Sequence, residues 1–412
     1  MPTTKSLQRP VSAFVLLPAL FLMTTAAGAV DWPSYRGPAH DGRSTETGVF
    51  DTWPKSGPAT LWRAELGSGY SAASVADGRV FTLFGDGTNE FLAAFSAYQG
   101  EELWRIRLDA ERKDSFGDGP RSTPSVADSV VYGLGAKGKL VAVKAESGEE
   151  IWSRDLVADF GAAIPQWGIS TSPTVFEELL LVDVGGKNGH GVVALARSDG
   201  KLIWKAESGL PGYSTPLVVE AAGAEQALFF TGTKLVAVSP RDGKPLWDYE
   251  WRTSYDVNAA MPVFLPPDRV FISTGYDKGA AVLRVKKTES GLAVEEVWKS
   301  REMRNHFNSS VLVDGHLYGF DNGTLKCIRA DDGTERWAKR GFAKGSLLYA
   351  DGHLVVLGER GQLALVEATP EGYREKALSE VFNAKTWTMP TLADGVLFVR
   401  SEKELVALDP RR

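Results

Sequence analysis

The chain of 412 residues is 43% hydrophobic and 24% charged, with a formal net charge of −6 at pH 7. This composition is that of a globular protein with a large core, and it excludes a chain that is disordered over most of its length. The acidic balance argues against nucleic acid as a partner. Cys327 is the only cysteine, so the chain cannot form an intramolecular disulfide.

Residues 1–29 have the pattern of a signal peptide. Lys5 and Arg9 precede an apolar run over residues 11–23, and Ala27-Gly28-Ala29 has the small-x-small form of a signal-peptidase site. We expect cleavage after Ala29 and a mature protein that is periplasmic or secreted. A retained membrane anchor is the alternative, but the apolar run is short for a span. No cysteine lies near the site, so we expect neither lipid attachment nor a transmembrane anchor after cleavage.

Residues 30–58 are predicted to be an extended lead-in to the main body. The run from Asp31 to Pro38 is rich in Trp, Pro and Gly and shows neither helical nor strand periodicity. Its large side chains would lose apolar burial if they hung free. We therefore expect Trp32, Tyr35 and Trp53 to pack on the body of the protein.

One pattern recurs over residues 59–412: a small residue in an apolar strand, a turn with glycine, and a second strand with tryptophan. In the copy from Ala142 to Trp152 the glycine is Gly148. The tryptophans at this position are Trp62, Trp104, Trp152, Trp204, Trp247, Trp298 and Trp337, and Phe382 is taken as an eighth member. Neighbouring members are 39 to 52 residues apart. That period matches a four-stranded propeller blade.

Several repeats begin with small residues and proline, as in Ser122-Thr123-Pro124, which predicts a short strand at the crowded axis. Asp-Gly pairs such as Asp77-Gly78 predict the hairpin turn to the second strand. The last repeat lacks a fourth strand. Residues 60–66 have the pattern of a fourth strand, but the three other strands of a blade do not precede them. We predict an all-β, eight-bladed β-propeller of four-stranded antiparallel blades, closed by an N-terminal strand that completes the last blade. A seven-bladed ring is the alternative, because two repeats are weak.

The repeated small residue, glycine turn and tryptophan resemble the tryptophan-docking repeat of the pyrroloquinoline-quinone (PQQ) propeller family, over roughly residues 60–412. That family includes quinoprotein dehydrogenases and non-enzymatic relatives, among them a lipoprotein of the outer-membrane barrel-assembly machinery. The resemblance implies that the seven tryptophans named above pack between neighbouring blades.

The resemblance leaves two functions open. Family dehydrogenases have adjacent cysteines over the quinone and a calcium ion held by Glu, Asn and Asp, and this chain has one cysteine and no matching calcium motif. We therefore expect a non-catalytic binding or scaffold module of the bacterial envelope, with no catalytic residues and no firmly implied cofactor. A PQQ-dependent dehydrogenase of alcohols or sugars, with PQQ and calcium as cofactors, is the alternative.

Candidate binding residues lie in the segments that join a fourth strand to the next first strand, because these segments converge at one mouth of the channel. They are Asp118, Arg121, Gln166, Trp167, Tyr213, Asp256, Asn258, Asn305, His306, Asn308, Lys385 and Trp387. We predict that they form a funnel that binds an envelope protein or a small ligand. The alternative is that they are solvated loops and strand caps, and that Trp167 packs or plugs the channel. The five histidines show no paired spacing, so we predict no metal site, and we expect a monomer.

Overall fold

The computed structural model describes residues 1–2, 30–50 and 53–412. The predicted signal peptide and its cleavage site lie outside the described residues. Within them, 32 strands form eight four-stranded antiparallel sheets arranged as the blades of a propeller. This confirms the all-β class and the eight blades, and the seven-bladed alternative is wrong.

The strands follow the repeat. The chain first forms β1 (Ala59–Glu65). Blade 1 then comprises β2 (Ser74–Ala76), β3 (Arg79–Gly85), β4 (Asn89–Ser96) and β5 (Glu102–Ala110). Blade 2 comprises β6 (Ser125–Ala127), β7 (Val130–Leu134), β8 (Lys139–Lys144) and β9 (Glu150–Asp155), followed by helix α1 (Leu156–Phe160). Blade 3 comprises β10 (Thr174–Phe176), β11 (Leu179–Asp183), β12 (Val192–Ala196) and β13 (Leu202–Ala206). Blade 4 comprises β14 (Leu217–Ala221), β15 (Ala224–Phe230), β16 (Lys234–Val238) and β17 (Pro245–Glu250).

The second half continues in the same way. Blade 5 comprises β18 (Val263–Leu265), β19 (Arg269–Thr274), β20 (Gly279–Thr288) and β21 (Gly291–Ser300). Blade 6 comprises β22 (Val311–Val313), β23 (His316–Asp321), β24 (Thr324–Arg329) and β25 (Glu335–Lys339). Blade 7 comprises β26 (Ser346–Ala350), β27 (His353–Leu357), β28 (Gln362–Glu367) and β29 (Glu375–Glu380). Blade 8 comprises β30 (Thr391–Ala393), β31 (Val396–Arg400), β32 (Glu404–Asp409) and, as its outer strand, β1.

Ring closure depends on β1, which pairs antiparallel with β32 and so joins the two ends of the propeller. Arg400 adds a second link, because its buried guanidinium donates to Ser71 O at 2.8 Å and to Leu83 O at 2.6 Å in and beside blade 1. Burial lowers the pKa of Arg400 to about 9. The predicted closure by the N-terminal strand is confirmed.

Hydroxyl groups hold the inner strands together around the axis. Ser125 Oγ donates to Pro173 O of the next blade's first segment at 2.5 Å, and Thr174 Oγ1 donates to Pro216 O at 2.8 Å. Thr391 Oγ1 repeats the contact across the closure, to Ala73 O at 2.8 Å. These bonds satisfy polar groups that lie deep in the ring, and they explain why small hydroxyl residues open most of the repeats.

The repeated tryptophans occupy equivalent places on the outer strands. In blade 2, Ala142 pairs with Trp152, and the strand register shifts immediately after the pair. The indole of Trp152 donates to Arg197 O of blade 3 at 2.8 Å. A Cβ added at Gly200, whose φ is 69°, would lie 2.7 Å from the Trp152 ring. The turn glycine therefore makes room for the indole of the preceding blade.

Six of the seven tryptophans donate to a backbone carbonyl in the following blade. The acceptors are Ala97 for Trp62, Ala145 for Trp104, Arg197 for Trp152, Pro240 for Trp204, Ala330 for Trp298 and Thr369 for Trp337. Trp247 differs, since its indole donates at 2.5 Å to Gln226 Oε1 within its own blade. The long β20–β21 hairpin of the following blade has its turn glycine, Gly291, in open space.

The assignment of Phe382 as the eighth member of the tryptophan series is wrong. In blade 7 the residue opposite Leu365, next to the register shift, is Ala377. Phe382 lies beyond the end of β29 and is buried in the core. Blade 7 has no aromatic residue at this position, and Phe382 is the first aromatic residue that follows it in the chain.

Trp53 of the lead-in compensates for the missing indole. It is buried in the same hydrophobic cluster as Ala377, and its Nε1 donates to Pro410 O at 2.8 Å. Ala145, the acceptor of Trp104, lies three residues beyond Ala142, which is the small residue of blade 2. Pro410 likewise lies three residues beyond Ala407, which is the small residue of blade 8 and pairs with Trp62. The acceptor is therefore the blade 8 equivalent of the carbonyls that receive the other indoles.

The rest of the lead-in crosses the face of the ring on which the first strands end. Trp32 exchanges two backbone hydrogen bonds with Val75 of blade 1. Farther along, Ser44 N donates to Tyr349 O of blade 7 at 2.8 Å, and Glu46 accepts from Gly395 N of blade 8 at 2.6 Å. The segment thus lies on the side opposite the loops that precede the first strands.

We expect Trp53→Ala to lower the free energy of unfolding by about 3–5 kcal/mol, because it removes a buried indole and leaves a cavity between blades 7 and 8. Trp53→Phe retains most of the packing and loses one hydrogen bond, which should cost about 1 kcal/mol. Urea unfolding followed by circular dichroism measures both.

Trp167→Ala is the matched control, since Trp167 is a partly exposed tryptophan of a loop. Its expected cost is below about 1 kcal/mol. If Trp53→Ala proved no more destabilising than Trp167→Ala, Trp53 would have no part in joining the blades.

Candidate functional site

A cavity of about 490 Å³ occupies the end of the channel at which the loops before the first strands converge. These loops supply most of its wall. Tyr35 and Arg36 of the lead-in also line it, so the lead-in contributes to the floor. We call this cavity the funnel. Its volume is in the range of small-molecule sites.

Aromatic side chains form a collar around the funnel. The collar consists of Tyr70, Phe116, Trp167, Tyr213, Tyr255, Tyr276, Phe307 and Trp387. All except Tyr276 come from loops that precede a first strand. The repeat delivers one such loop per blade to the same place, so aromatic residues that are far apart in the chain become neighbours.

The collar rings contact one another in two arcs. In the first, the ring centres of Trp167 and Tyr213 are 5.5 Å apart and those of Phe116 and Trp167 are 6.1 Å apart. In the second, the rings of Phe307 and Trp387 are 5.0 Å apart. Such spacings are typical of packed aromatic pairs. The arcs therefore present a preformed set of ring faces and edges to the funnel.

The charged side chains that line the funnel are all cationic: Arg36, Arg121 and Lys344. Arg121 Nη2 donates to Gly117 O at 3.0 Å, and its guanidinium lies 5.6 Å from the centre of the Tyr70 ring. Burial lowers the pKa of Arg121. Among the described lining residues there is no aspartate or glutamate, although the whole chain is acidic.

His306 lines the funnel as a neutral imidazole at pH 7. Burial, with the nearby Lys344 charge, lowers its pKa to about 4, and Glu359 opposes the shift. Its ring centre is 4.9 Å from that of Tyr276, and its Nδ1 is buried without a hydrogen-bond partner within the described residues.

The structure brings seven of the predicted site residues into the funnel lining: Arg121, Gln166, Trp167, Tyr213, His306, Asn308 and Trp387. Lys385 stands beside it, with Nζ 4.4 Å from the centre of the Trp387 ring and 3.1 Å from Phe116 O. Asp118 lines a neighbouring recess and pairs with Lys113 at 3.1 Å. Asp256 is outside the lining, 3.7 Å from Arg252.

Two predicted residues are internal braces of the loops. Asn258 is fully buried, donates to Thr231 O at 2.8 Å and accepts from Thr274 Oγ1 at 2.7 Å. Asn305 is also buried, donating to Phe320 O at 3.0 Å and accepting from Ser310 Oγ at 2.9 Å. Their polar groups are used within the fold, so they position the loops without facing the funnel.

Sequence reasoning missed several lining residues: Tyr35, Arg36, Tyr70, Phe116, Tyr255, Tyr276, Phe307 and Lys344. Aligning the loops before the first strands would have found most of them, since nearly every loop carries an aromatic residue. Tyr276 comes instead from the turn between the second and third strands of blade 5. Nothing in the sequence marks that turn as part of the mouth.

The dehydrogenase alternative implies a calcium ion held by carboxylates. The described funnel lining offers no carboxylate, so it does not supply the anionic oxygen ligands that calcium prefers. Within the described part of the chain, no three His, Cys, Asp or Glu side chains cluster so that they could hold a metal ion.

Among the residues that the structure describes, no helix is long and apolar enough to cross a membrane.

Comparison with known proteins gives a consistent family. The model of the family described as outer membrane protein assembly factor BamB matches residues 88–339 and 321–411. Outer membrane protein assembly factor BamB of Yersinia pestis is 26% identical over 253 residues, which are 58% of this chain and 56% of that protein. The chain thus aligns with little more than half the length of that relative.

Solved structures show the same fold at low sequence identity. BamB from Moraxella catarrhalis superposes with a TM-score of 0.63 and 12% identity, over 85% of this chain and 99% of that chain. Quinohemoprotein alcohol dehydrogenase from Comamonas testosteroni superposes with a TM-score of 0.66 and 11% identity, over 93% of this chain and 81% of that chain. The propeller is therefore common to an assembly factor and an enzyme.

The buried imidazole predicts a pH-dependent stability. The pKa of His306 is about 4 in the folded protein against 6.5 ordinarily, so below pH 6.5 the unfolded chain takes up a proton that the folded chain does not. Stability should fall as the pH falls from 6.5 towards 4. At about pH 5 the loss due to His306 is about 2 kcal/mol.

Urea unfolding between about pH 4.5 and pH 8 tests this. In His306→Gln the free energy of unfolding should fall by about 2 kcal/mol less on the acid side than in the wild type, because glutamine does not titrate. His316→Gln, at a turn far from the funnel, is the control and should leave the slope as in the wild type. An unchanged slope in His306→Gln would show that the imidazole takes up its proton equally in both states.

Proposed function

This chain belongs to the outer membrane protein assembly factor BamB family of PQQ-like propellers, and from that membership we propose that it is an exported, non-catalytic module that binds an envelope protein at the mouth of its funnel. The match of the family model to most of the chain carries the proposal. Its relative in Yersinia pestis is an assembly factor, which supports a scaffold role.

The surface around the mouth supports protein binding. Four consecutive loops, before blades 2 to 5, each expose a large apolar side chain: Phe116, Ile164, Leu210 and Tyr255. We call these residues the apolar rim. Exposed apolar side chains clustered beside a concave site are typical of interaction surfaces. A partner that covered the rim would bury them and gain hydrophobic free energy.

The non-catalytic role is supported by the chemistry of the lining. A family dehydrogenase needs an aspartate base and calcium ligands, and the described lining has no carboxylate to serve either purpose. The similarity to quinohemoprotein alcohol dehydrogenase extends to the fold alone. We propose the periplasm as the site of action and a monomeric propeller as the working form.

Site-specific photocrosslinking in intact cells tests the proposal. A photoreactive amino acid at Ile164 or Leu210 should yield a discrete product with an outer-membrane assembly protein, identified by mass spectrometry. Both positions belong to the apolar rim, with exposed fractions of 41% and 50%.

Ile203 is the matched control, because it is 53% exposed on the outer strand of blade 3, away from the mouth. It should give no such product. Equal products from Ile203 and Leu210, or none from the rim, would contradict binding at the mouth.

Export is tested separately. We expect the protein recovered from the periplasm to lack residues 1–29, so that intact mass spectrometry gives a chain beginning at Val30. A mass that included residues 1–29 would contradict the predicted cleavage after Ala29.

A further inference from the structure

Two lysines share one indole on the mouth side of blade 5. Trp251 begins the loop that leads from blade 4 to blade 5, and its side chain is fully buried. The Nζ atoms of Lys278 and Lys299 each lie 5.0 Å from the centre of the Trp251 ring. An indole face attracts cations, so these contacts hold both ammonium groups beside the same ring. We call Trp251, Lys278 and Lys299 the dibasic notch.

The protein itself does little to neutralise the two positive charges of the notch. Lys278 forms neither an ion pair nor a side-chain hydrogen bond with any described residue, and burial, together with the charge of Lys299, lowers its pKa. The ammonium group of Lys299 lies 3.9 Å from Glu296 Oε2, at the limit of an ion pair. That carboxylate accepts a hydrogen bond from the Tyr249 hydroxyl instead. A bound anion would therefore stabilise both ammonium groups.

The aspartates on the two loops of the notch are paired with arginines. Asp277 Oδ1 lies 3.4 Å from Nη1 of Arg304, and Asp256 Oδ1 lies 3.7 Å from Nη1 of Arg252. Their charges are thus offset by cations other than the two lysines. The charge left at this edge of blade 5 is positive, although the net charge of the chain is −6. A local positive region of this kind attracts anions.

The notch adjoins the apolar rim. Tyr255 of the rim belongs to the loop that begins with Trp251, and its ring centre is 5.6 Å from that of Tyr276. Tyr276 in turn shares the short turn between β19 and β20 with Lys278. A partner that covers the rim at Tyr255 therefore also reaches the notch.

We propose that the dibasic notch binds an acidic side chain of the partner polypeptide, so that the mouth recognises a segment in which Asp or Glu adjoins apolar residues. The apolar residues of that segment cover the rim, and its carboxylate accepts charge-assisted hydrogen bonds from the two ammonium groups. The apolar rim beside the notch favours a polypeptide over a phosphate group as the source of the negative charge. This inference rests on the proposed function, because it names the chemistry of the partner that binds at the mouth.

Fluorescence anisotropy of the purified protein tests this with two labelled peptides, Leu-Leu-Glu-Glu and Leu-Leu-Gln-Gln, which are amidated at the carboxyl terminus and differ only in charge. Because only the first peptide offers carboxylates to the notch, it should bind at least about fivefold more tightly at low salt. The difference should shrink as salt is added, since salt screens exposed charges. Equal affinities of the two peptides, or no binding of the acidic one, would overturn the proposal.

Variants locate the site. The double variant Lys278→Gln with Lys299→Gln should lose the preference for the acidic peptide and bind the neutral one as the wild type does. Lys299 is 43% exposed, so Lys299→Gln alone tests the site, with a smaller loss, even if the double variant fails to fold. Lys286→Gln with Lys287→Gln removes the same charge from the exposed end of β20 and is the control that should keep the preference. An undiminished preference in the notch variants would place the acidic residue elsewhere and refute the proposal.

Vesicles of phosphatidylglycerol test the other source of negative charge. Vesicle binding that the notch variants abolish, without binding of the acidic peptide, would make the notch a lipid site and contradict the proposal. Crosslinking from Ile164 and Leu210 probes the loops before blades 3 and 4, and the notch belongs to blade 5 and the loop before it. Crosslinked products without an acidic preference would therefore contradict this inference alone, whereas an acidic preference without products would contradict the proposed function.

Discussion

The structure depends on the fit of an indole between neighbouring blades. A four-stranded sheet buries neither face by itself, so each blade needs its neighbours, and the ring needs every junction. At a typical junction a tryptophan lies opposite a small residue on its own sheet, next to a register shift, and packs on a glycine of the next blade. Its N–H is satisfied by a carbonyl of that blade, as in Trp152 and Arg197. Packing and hydrogen bonding thus fix the angle between successive sheets.

As a result, the residues that hold the blades together differ from the residues that line the funnel. The junctions use the third and fourth strands and the turns between them, so these parts resemble one another from blade to blade. The loops before the first strands take no part in them and are free to differ. That is why the aromatic collar, Arg121, Lys344 and the apolar rim lie at one mouth, while Arg36 and Tyr35 of the lead-in reach the floor of the funnel from the other side.

The regular features could be predicted from the sequence because each is specified by neighbouring residues and then repeated. Blade number, strand order and closure by β1 follow from the period and from the strand missing in the last repeat. Phe382 is a wrong assignment because blade 7 has no aromatic residue at the tryptophan position. Trp53 could be predicted to pack on the body, but its blade junction could not, because Trp53 lies outside the repeat. The location of the mouth could be inferred, but Asn258 and Asn305 could not be told apart from lining residues, since only three-dimensional contacts show that their amides are already bonded.

The lead-in has a consequence for how the protein folds. Its contacts join residues that are hundreds of positions apart, such as Arg36 with Ser310 and Trp53 with Pro410. Such contacts wait for the later partner, which lies at the start of blade 6 for Arg36 and at the end of blade 8 for Trp53, and long-range contacts are slow to form. The lead-in therefore takes up its final position late in folding. Until then the indole of Trp53 stays uncovered, so its burial against Pro410 marks a ring whose last blade is in place.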